Sequence, residues 1–231
     1  MIFDIIITMN DLTKKILRIS ILTALVVVGL LGIILTALST DFMGGSSVFL
    51  FFTVQSNIFI ILMALITLVN EIVLWITKKS FMNQIILYVK FSATIAITIT
   101  FIVFFTMLAP LLGPDYLLSF NNFSLHAIVP ILAIVDFFLF DTSINLTYPR
   151  SSFGAIPPLC YVIFVYIGVP LNFQYAENTE FPYFFLDYET NGFLFEKGFG
   201  IIMWILVLLI GISGLCVLFC FLMKLRQKKA K

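Results

Sequence analysis

The side chains best suited to chemistry are a threonine and the single histidine, which lie in separate apolar segments. Thr53, Ser56 and Asn57 are spaced i, i+3 and i+4, so in a helix they share one face. His126 opens another apolar segment. A hydroxyl beside an imidazole can carry out acyl transfer, because the imidazole accepts the proton that the hydroxyl loses as it attacks. In such a pair Thr53 is the nucleophile and His126 is the general base.

Four other polar residues could support this pair. Asn57, one turn after Thr53, is a candidate donor to the oxyanion of a tetrahedral intermediate, and Ser56 lies on the same face. Asp187 is a candidate for orienting the imidazole. Asp136 follows His126 by ten residues, about 15 Å along a helix, so it is expected to pair with another helix or to carry a proton.

These residues also have ordinary structural interpretations. A threonine in a membrane helix commonly donates a hydrogen bond to the carbonyl four residues earlier. A lone histidine often does no more than link two helices. Residue types and spacing alone leave both interpretations open.

The elements that carry these residues are membrane-spanning helices. The 231 residues are 61% hydrophobic and 11% charged, whereas soluble domains carry about 25% charged residues. Each of six apolar segments is long enough to cross a bilayer, which takes roughly 20 residues. We therefore predict an all-α, polytopic six-helix bundle that forms one integral membrane domain over residues 1–231, with spans at about 16–40, 48–76, 84–112, 123–140, 152–172 and 198–223.

The positions of the basic residues predict the topology. All but two of the 13 Lys and Arg residues flank the same ends of the predicted spans. By the positive-inside rule these ends are cytoplasmic, which places both termini on the cytoplasmic side of the cell membrane. Of the other two, Lys197 falls in an outer loop, and Lys90 is expected to extend toward the inner interface. Glu71, near the inner end of the second span, is expected to reach the cytoplasmic interface. The outer loop at 173–197 is rich in aromatic residues and is also acidic, with Glu177, Glu180, Asp187, Glu189 and Glu196.

This topology places Thr53 and His126 at similar depth near the outer face. Thr53 lies about 7 Å and His126 about 5 Å below the outer ends of their spans, at 1.5 Å per residue. Ester groups of lipids lie at that depth, so the predicted partner is a membrane lipid or a lipid ester that enters sideways from the outer leaflet. The aromatic loop is either an interfacial anchor or a lid over the site.

Other classes of function lack a signal. A net charge of +1 gives no reason to expect nucleic acid as a partner. The three cysteines, Cys160, Cys216 and Cys220, form no CxxC pair, and a single histidine argues against a zinc site. We therefore expect neither a metal nor a cofactor. The oligomeric state is not indicated.

Four sequence motifs resemble the androgen-induced-gene family of six-span membrane proteins, which includes the androgen-dependent TFPI-regulating protein. They are Phe-Thr-Val-Gln-Ser-Asn at 52–57, Leu-His-Ala-Ile-Val-Pro at 125–130 followed by Asp136, Tyr-Pro at 148–149, and Phe-Pro-Tyr-Phe-Phe-Leu-Asp at 181–187. The resemblance covers nearly the whole chain. The Gln-Ser-Asn run is not seen in the animal members, so the chain looks like a bacterial member.

The resemblance implies a threonine hydrolase. Animal members cleave fatty acid esters of hydroxy fatty acids within the membrane, and their threonine and histidine match Thr53 and His126. The alternative is a non-catalytic transporter or lipid-binding protein, in which Asp136 would matter more than Thr53. A third possibility is a scaffold in which the polar groups only hold helices together.

Overall fold

The computed structural model describes residues 9–39, 45–113, 117–175 and 179–229, and this part of the chain is an all-α bundle without a β-strand. Six of its helices are long and apolar enough to cross a membrane, as predicted for a multi-pass membrane protein. We label them α1 to α6: Asp11–Leu38, Phe52–Thr77, Gln84–Leu111, Phe120–Phe140, Tyr148–Leu171 and Ile201–Lys229. Glu177 and Lys231, which the topology prediction uses, lie outside the described residues, as does residue 40, where the first predicted span ends.

Several helices extend beyond the predicted apolar segments because polar residues cap them. The side chain of Asn10 accepts a hydrogen bond from the Thr13 amide at 2.8 Å, so α1 begins at Asp11, before the predicted start of the first span at about residue 16. Thr147 caps the start of α5 in the same way. By contrast, α2 begins later than predicted, because Ser46–Leu50 forms a separate 3₁₀ turn.

Helices α1 to α4 form the centre of the bundle. Helix α1 packs against α2 and α4, while α3 packs against α2 and α4 on one side and against α5 on the other. Helix α6 lies mainly against the start of α5. Two glycines allow α1 to approach closely: a Cβ added at Gly29 would meet Ile61 of α2 at 2.7 Å, and one at Gly32 would collide with Ser124 and Leu125 of α4.

Charged side chains join the first four helices at one end of the bundle. Arg18 of α1 contacts Glu71 of α2 at 3.0 Å and Asp141, just after α4, at 2.5 Å. Lys90 of α3 pairs with Asp136 of α4 and contacts Asp141 at 2.6 Å. We call these five residues the ionic cluster.

Two expectations for this end were wrong. The Lys90 side chain does not extend to the interface: it is 2% exposed, because the carboxylates of Asp136 and Asp141 surround its ammonium group. Glu71, expected to reach the cytoplasmic interface, is buried against Arg18. In lipid an ion that is paired inside the bundle avoids the cost of an unpaired charge.

The start of α1 and the end of α6 lie on the same side of the bundle. Arg18 places the start of α1 beside Asp141. Gln227, near the end of α6, donates hydrogen bonds to the carbonyls of Thr142 and Ile144, each at 2.8 Å. An even number of crossings requires this arrangement.

The connection between α5 and α6 covers the opposite end of the bundle. Its first part contains the 3₁₀ turn Phe184–Leu186, which packs against α6. Phe185 and Leu186 are buried there with Phe51 and Tyr161. Later residues point outward, and Phe195 is 68% exposed. One part of the predicted aromatic loop therefore covers the bundle, while another part presents apolar side chains to the surroundings.

Candidate active site

Thr53 and His126 are in direct contact near the covered end of the bundle. Thr53 is the second residue of α2, and His126 lies in the first third of α4. The Oγ1 atom of Thr53 is 3.1 Å from Nε2 of His126. The predicted nucleophile and base thus lie within the hydrogen-bonding distance that proton transfer requires.

The second ring nitrogen of His126 fixes the direction of this hydrogen bond. Nδ1 is 2.9 Å from the backbone carbonyl oxygen of Asn122. A carbonyl oxygen can only accept, so Nδ1 carries the proton of the neutral imidazole and Nε2 offers its lone pair. Thr53 therefore donates its hydroxyl proton to Nε2. Phe104 of α3 stacks on the imidazole with ring centroids 3.7 Å apart, which holds the ring plane.

Both helices that enclose the imidazole contain a π-helical turn just before a proline. In α3 the turn is Phe104–Leu108, and in α4 it is Ser124–Ile128. Each ends with a hydrogen bond from residue i to i−5, donated by Ala109 or Val129. Pro110 and Pro130 come next and have no N–H to continue the ladder. Such turns are frequent at functional sites.

Asn57 supplies the hydrogen-bond donor that Pro130 lacks. The Val129 amide bonds to Ser124, so the next π-type donor for the Leu125 carbonyl would be the absent N–H of Pro130. Asn57 Nδ2 donates to that carbonyl at 3.1 Å and to the Thr53 carbonyl at 2.8 Å. Both amide hydrogens are then used. Asn57 does not serve as the oxyanion donor in this arrangement, and it ties the two helices of the site together instead.

Replacing Asn57 with alanine is expected to destabilise the protein by about 1–3 kcal/mol, because the buried Leu125 carbonyl loses its donor. Chemical unfolding in detergent micelles measures the change. Adding Pro130→Ala restores an N–H near that carbonyl and should recover part of the loss. Gln55→Ala is the matched control on the same helix, since the Gln55 amide bonds at the exposed surface. Equal unfolding free energies for Asn57→Ala and Gln55→Ala would contradict the assignment.

The other predicted supporting residues lie away from the imidazole. Ser56 faces α3, with its Oγ 2.7 Å from the hydroxyl of Thr100. Asp136 belongs to the ionic cluster and pairs with Lys90 and Arg18. Asp187 does not orient His126: its carboxylate accepts from the amides of residues 189 and 190 and caps the short helix Tyr188–Asn191. The backbone carbonyl at position 122 orients the imidazole instead.

Two cavities meet at Thr53. The first, which we call the apolar cavity, extends between α3, α5 and α6 and holds about 760 Å³ free of protein atoms, part of it open to the surroundings. The second, the His126 cavity, extends between α1, α3 and α4 and holds about 830 Å³ on the same measure. Both are lined by Thr53, Phe104, Leu108 and Tyr183. Thr53 thus lines two mainly apolar spaces, one on either side of it.

Tyr183, from the covering loop, is the site residue that sequence reasoning missed. Its phenol oxygen contacts the side chain and amide of Thr53, the amide of Phe52 and the hydroxyl of Tyr161. Burial raises the pKa of Tyr183 to about 12, against the opposing effect of these hydrogen bonds. The phenol therefore keeps its proton at physiological pH.

Within the described residues, no three His, Cys, Asp or Glu side chains form a group that could hold a metal ion. The chain matches no protein-family model, no curated protein and no solved structure at a significant level. The interpretation of the site therefore rests on its own geometry.

Proposed function

We propose that this protein hydrolyses lipid esters within the membrane, with Thr53 as the nucleophile and His126 as the general base. The observation that carries the proposal is the 3.1 Å contact between the Thr53 hydroxyl and the lone-pair nitrogen of His126. Thr53 lines both apolar cavities and His126 lines one of them, so space for a ligand adjoins the pair. A hydrogen bond that served only to link two helices would not need such space.

The reaction divides into two acyl-transfer steps. Thr53 Oγ1 attacks the ester carbonyl carbon as its proton moves to Nε2 of His126, and the carbonyl oxygen becomes an oxyanion. The intermediate collapses as the bond to the alcohol oxygen breaks, and the departing alkoxide takes the proton from Nε2. Water then attacks the acyl-threonine with His126 again as base, which releases the fatty acid and restores the Thr53 hydroxyl.

The proposed setting is the outer leaflet of the cell membrane. If both ends of the chain are cytoplasmic, as the basic residues favour, the ionic cluster faces inward and Thr53 lies near the outer headgroups. A lipid ester would then enter sideways, with its chains in the two cavities. The resemblance to the androgen-induced-gene family supports this substrate class and a bacterial origin. In the alternative of a transporter, Asp136 would coordinate a solute, but its carboxylate is already paired with Lys90 and Arg18.

The test is hydrolysis of long-chain ester probes by the purified protein in nanodiscs, together with trapping by a fluorophosphonate. The wild-type protein should release fatty acid, and mass spectrometry should find the adduct on the peptide that carries Thr53. Thr53→Val removes only the hydroxyl and should lose both signals. Thr106→Val is the matched control, because the Thr106 hydroxyl is exposed and bonds back to the Ile102 carbonyl.

Two results would overturn the proposal. One is hydrolysis that Thr53→Val leaves unchanged, and the other is an adduct on a different residue. Absence of hydrolysis across ester probes of varied chain length would instead favour the non-catalytic alternative.

A further inference from the structure

Three hydroxyl groups meet at the start of α2, and the acceptors around them determine where their protons point. The proton of Thr53 is directed to Nε2 of His126. Tyr161 donates to the backbone carbonyl of Leu50 at 3.1 Å, since that carbonyl can only accept. The acceptors in contact with the Tyr183 hydroxyl are the oxygens of Thr53 and Tyr161, which are themselves donors to other groups. The single protons of Thr53 and Tyr161 are thus committed to fixed acceptors, while their oxygens can still accept from Tyr183. The Tyr183 proton rests on a neighbouring neutral hydroxyl, and it can turn from there to a ligand oxygen that carries negative charge and accepts more strongly.

The backbone holds the Tyr183 oxygen in place without using its proton. The amides of Phe52 and Thr53 contact the phenol oxygen, and an amide can only donate. These amides belong to the first turn of α2, where no carbonyl of the same helix is available to them. The ring is fixed as well, since it stacks on Phe185 with centroids 5.1 Å apart and meets Phe51 edge-on at 6.3 Å. Oxygen and ring are thus held in position beside Thr53 before any ligand binds.

The position of Tyr183 matches the place where negative charge would form. It lines both cavities together with Thr53, so an ester carbonyl that approaches Oγ1 from either cavity approaches the phenol as well. An oxyanion donor must already be positioned and shielded from water, because it then needs no reorganisation as charge develops.

We propose that Tyr183 is a further catalytic residue, whose hydroxyl donates a hydrogen bond to the ester carbonyl oxygen and to the oxyanion formed when Thr53 attacks. This inference rests on the proposed hydrolase function and fills the role that Asn57 does not. During the attack the C=O π electrons move to oxygen, the Tyr183 hydroxyl stabilises them, and no proton needs to leave the phenol. Its proton remains in place at physiological pH for the reason of burial given above.

The test compares Tyr183→Phe with Tyr175→Phe. Tyr183→Phe keeps the ring and should lower kcat by about 10²–10³-fold, with little change in KM, since the lost hydrogen bond strengthens only in the transition state. Tyr175 is the matched control: it lies in the same connection, is 1% exposed and packs on Phe51 at 5.5 Å. It lines neither cavity, so Tyr175→Phe should keep the wild-type kcat.

A second readout separates oxyanion stabilisation from packing. Sulfur accepts hydrogen bonds weakly, so the wild-type protein should prefer an oxo ester to its thiono analogue, and Tyr183→Phe should reduce that preference. An unchanged kcat in Tyr183→Phe would overturn the inference, as would a rate loss equal for both esters. If the wild-type protein is active and Thr53→Val is inactive, either result contradicts the role of Tyr183 alone. If Thr53→Val is as active as the wild-type protein, the hydrolase proposal itself fails.

Discussion

Replacing His126 with glutamine is expected to lower the kcat of ester hydrolysis by about 10²–10⁴-fold, the usual contribution of a positioned general base. The glutamine amide can occupy the space between Thr53 and Phe104, but it cannot take a proton from an attacking hydroxyl. The effect should fall on kcat more than on KM, because His126 forms only part of the cavity wall. Steady-state kinetics in nanodiscs measures both.

Chemical rescue provides the control for this variant. His126→Ala leaves a space beside Thr53, and added imidazole should restore part of the rate in a concentration-dependent manner. The same imidazole should have no effect on Thr53→Val, which lacks the nucleophile. A wild-type kcat in His126→Gln would remove the histidine from the mechanism, whatever the rate of the threonine variant.

Replacing Lys90 with methionine is expected to lower the free energy of unfolding by about 3–5 kcal/mol, as when one partner of a buried ion pair is removed. The variant leaves the carboxylates of Asp136 and Asp141 with Arg18 as their remaining cation in the ionic cluster. Lys90 is 2% exposed, so water cannot readily replace its ammonium group. Equilibrium unfolding in detergent micelles gives the value.

Removing one charge of each sign from the ionic cluster should lower the free energy of unfolding less than removing the lysine charge alone. In Lys90→Met with Asp136→Asn, the number of unpaired carboxylates falls by one, so stability should recover relative to Lys90→Met alone. Lys79→Met, in the exposed connection after α2, should change the unfolding free energy by less than about 0.5 kcal/mol. If Lys90→Met is as mild as Lys79→Met, the cluster does not stabilise the bundle.

The architecture could be predicted because it depends on hydrophobicity and charge averaged over long segments of the sequence. The lengths of the apolar segments give the six spans. The start of α1 and the end of α6 lie on the same side of the bundle, as an even number of crossings requires. The similar depth of Thr53 and His126 followed from counting residues at a fixed rise per residue. Their contact did not follow, since it depends on how far each helix is rotated about its axis.

The contacts of individual side chains were harder to predict than the helices that carry them. Lys90 was expected at the interface, because basic side chains near helix ends usually extend there, yet two carboxylates that come together only in the folded bundle hold it inside. Tyr183 belongs to the motif at 181–187 in a loop crowded with aromatic residues, but the motif alone does not indicate that its phenol contacts Thr53. The prolines at 110 and 130 were an available signal for the π turns, each of which ends two residues before its proline.

The π turns have a geometric consequence for the way two helices divide their surfaces. One extra residue in a turn shifts the angular phase of all later residues by about 100° relative to a continuous α-helix. In α3 the slip separates the stripe that bears Lys90 and Phe104 from the residues after the turn, among which Leu111 lines the His126 cavity. In α4 it lies between His126, within the turn, and Asp136, which follows the turn. Deleting one residue between His126 and Val129 would change the angle between the two side chains by about 100°, so His126 and Asp136 could not both keep their partners.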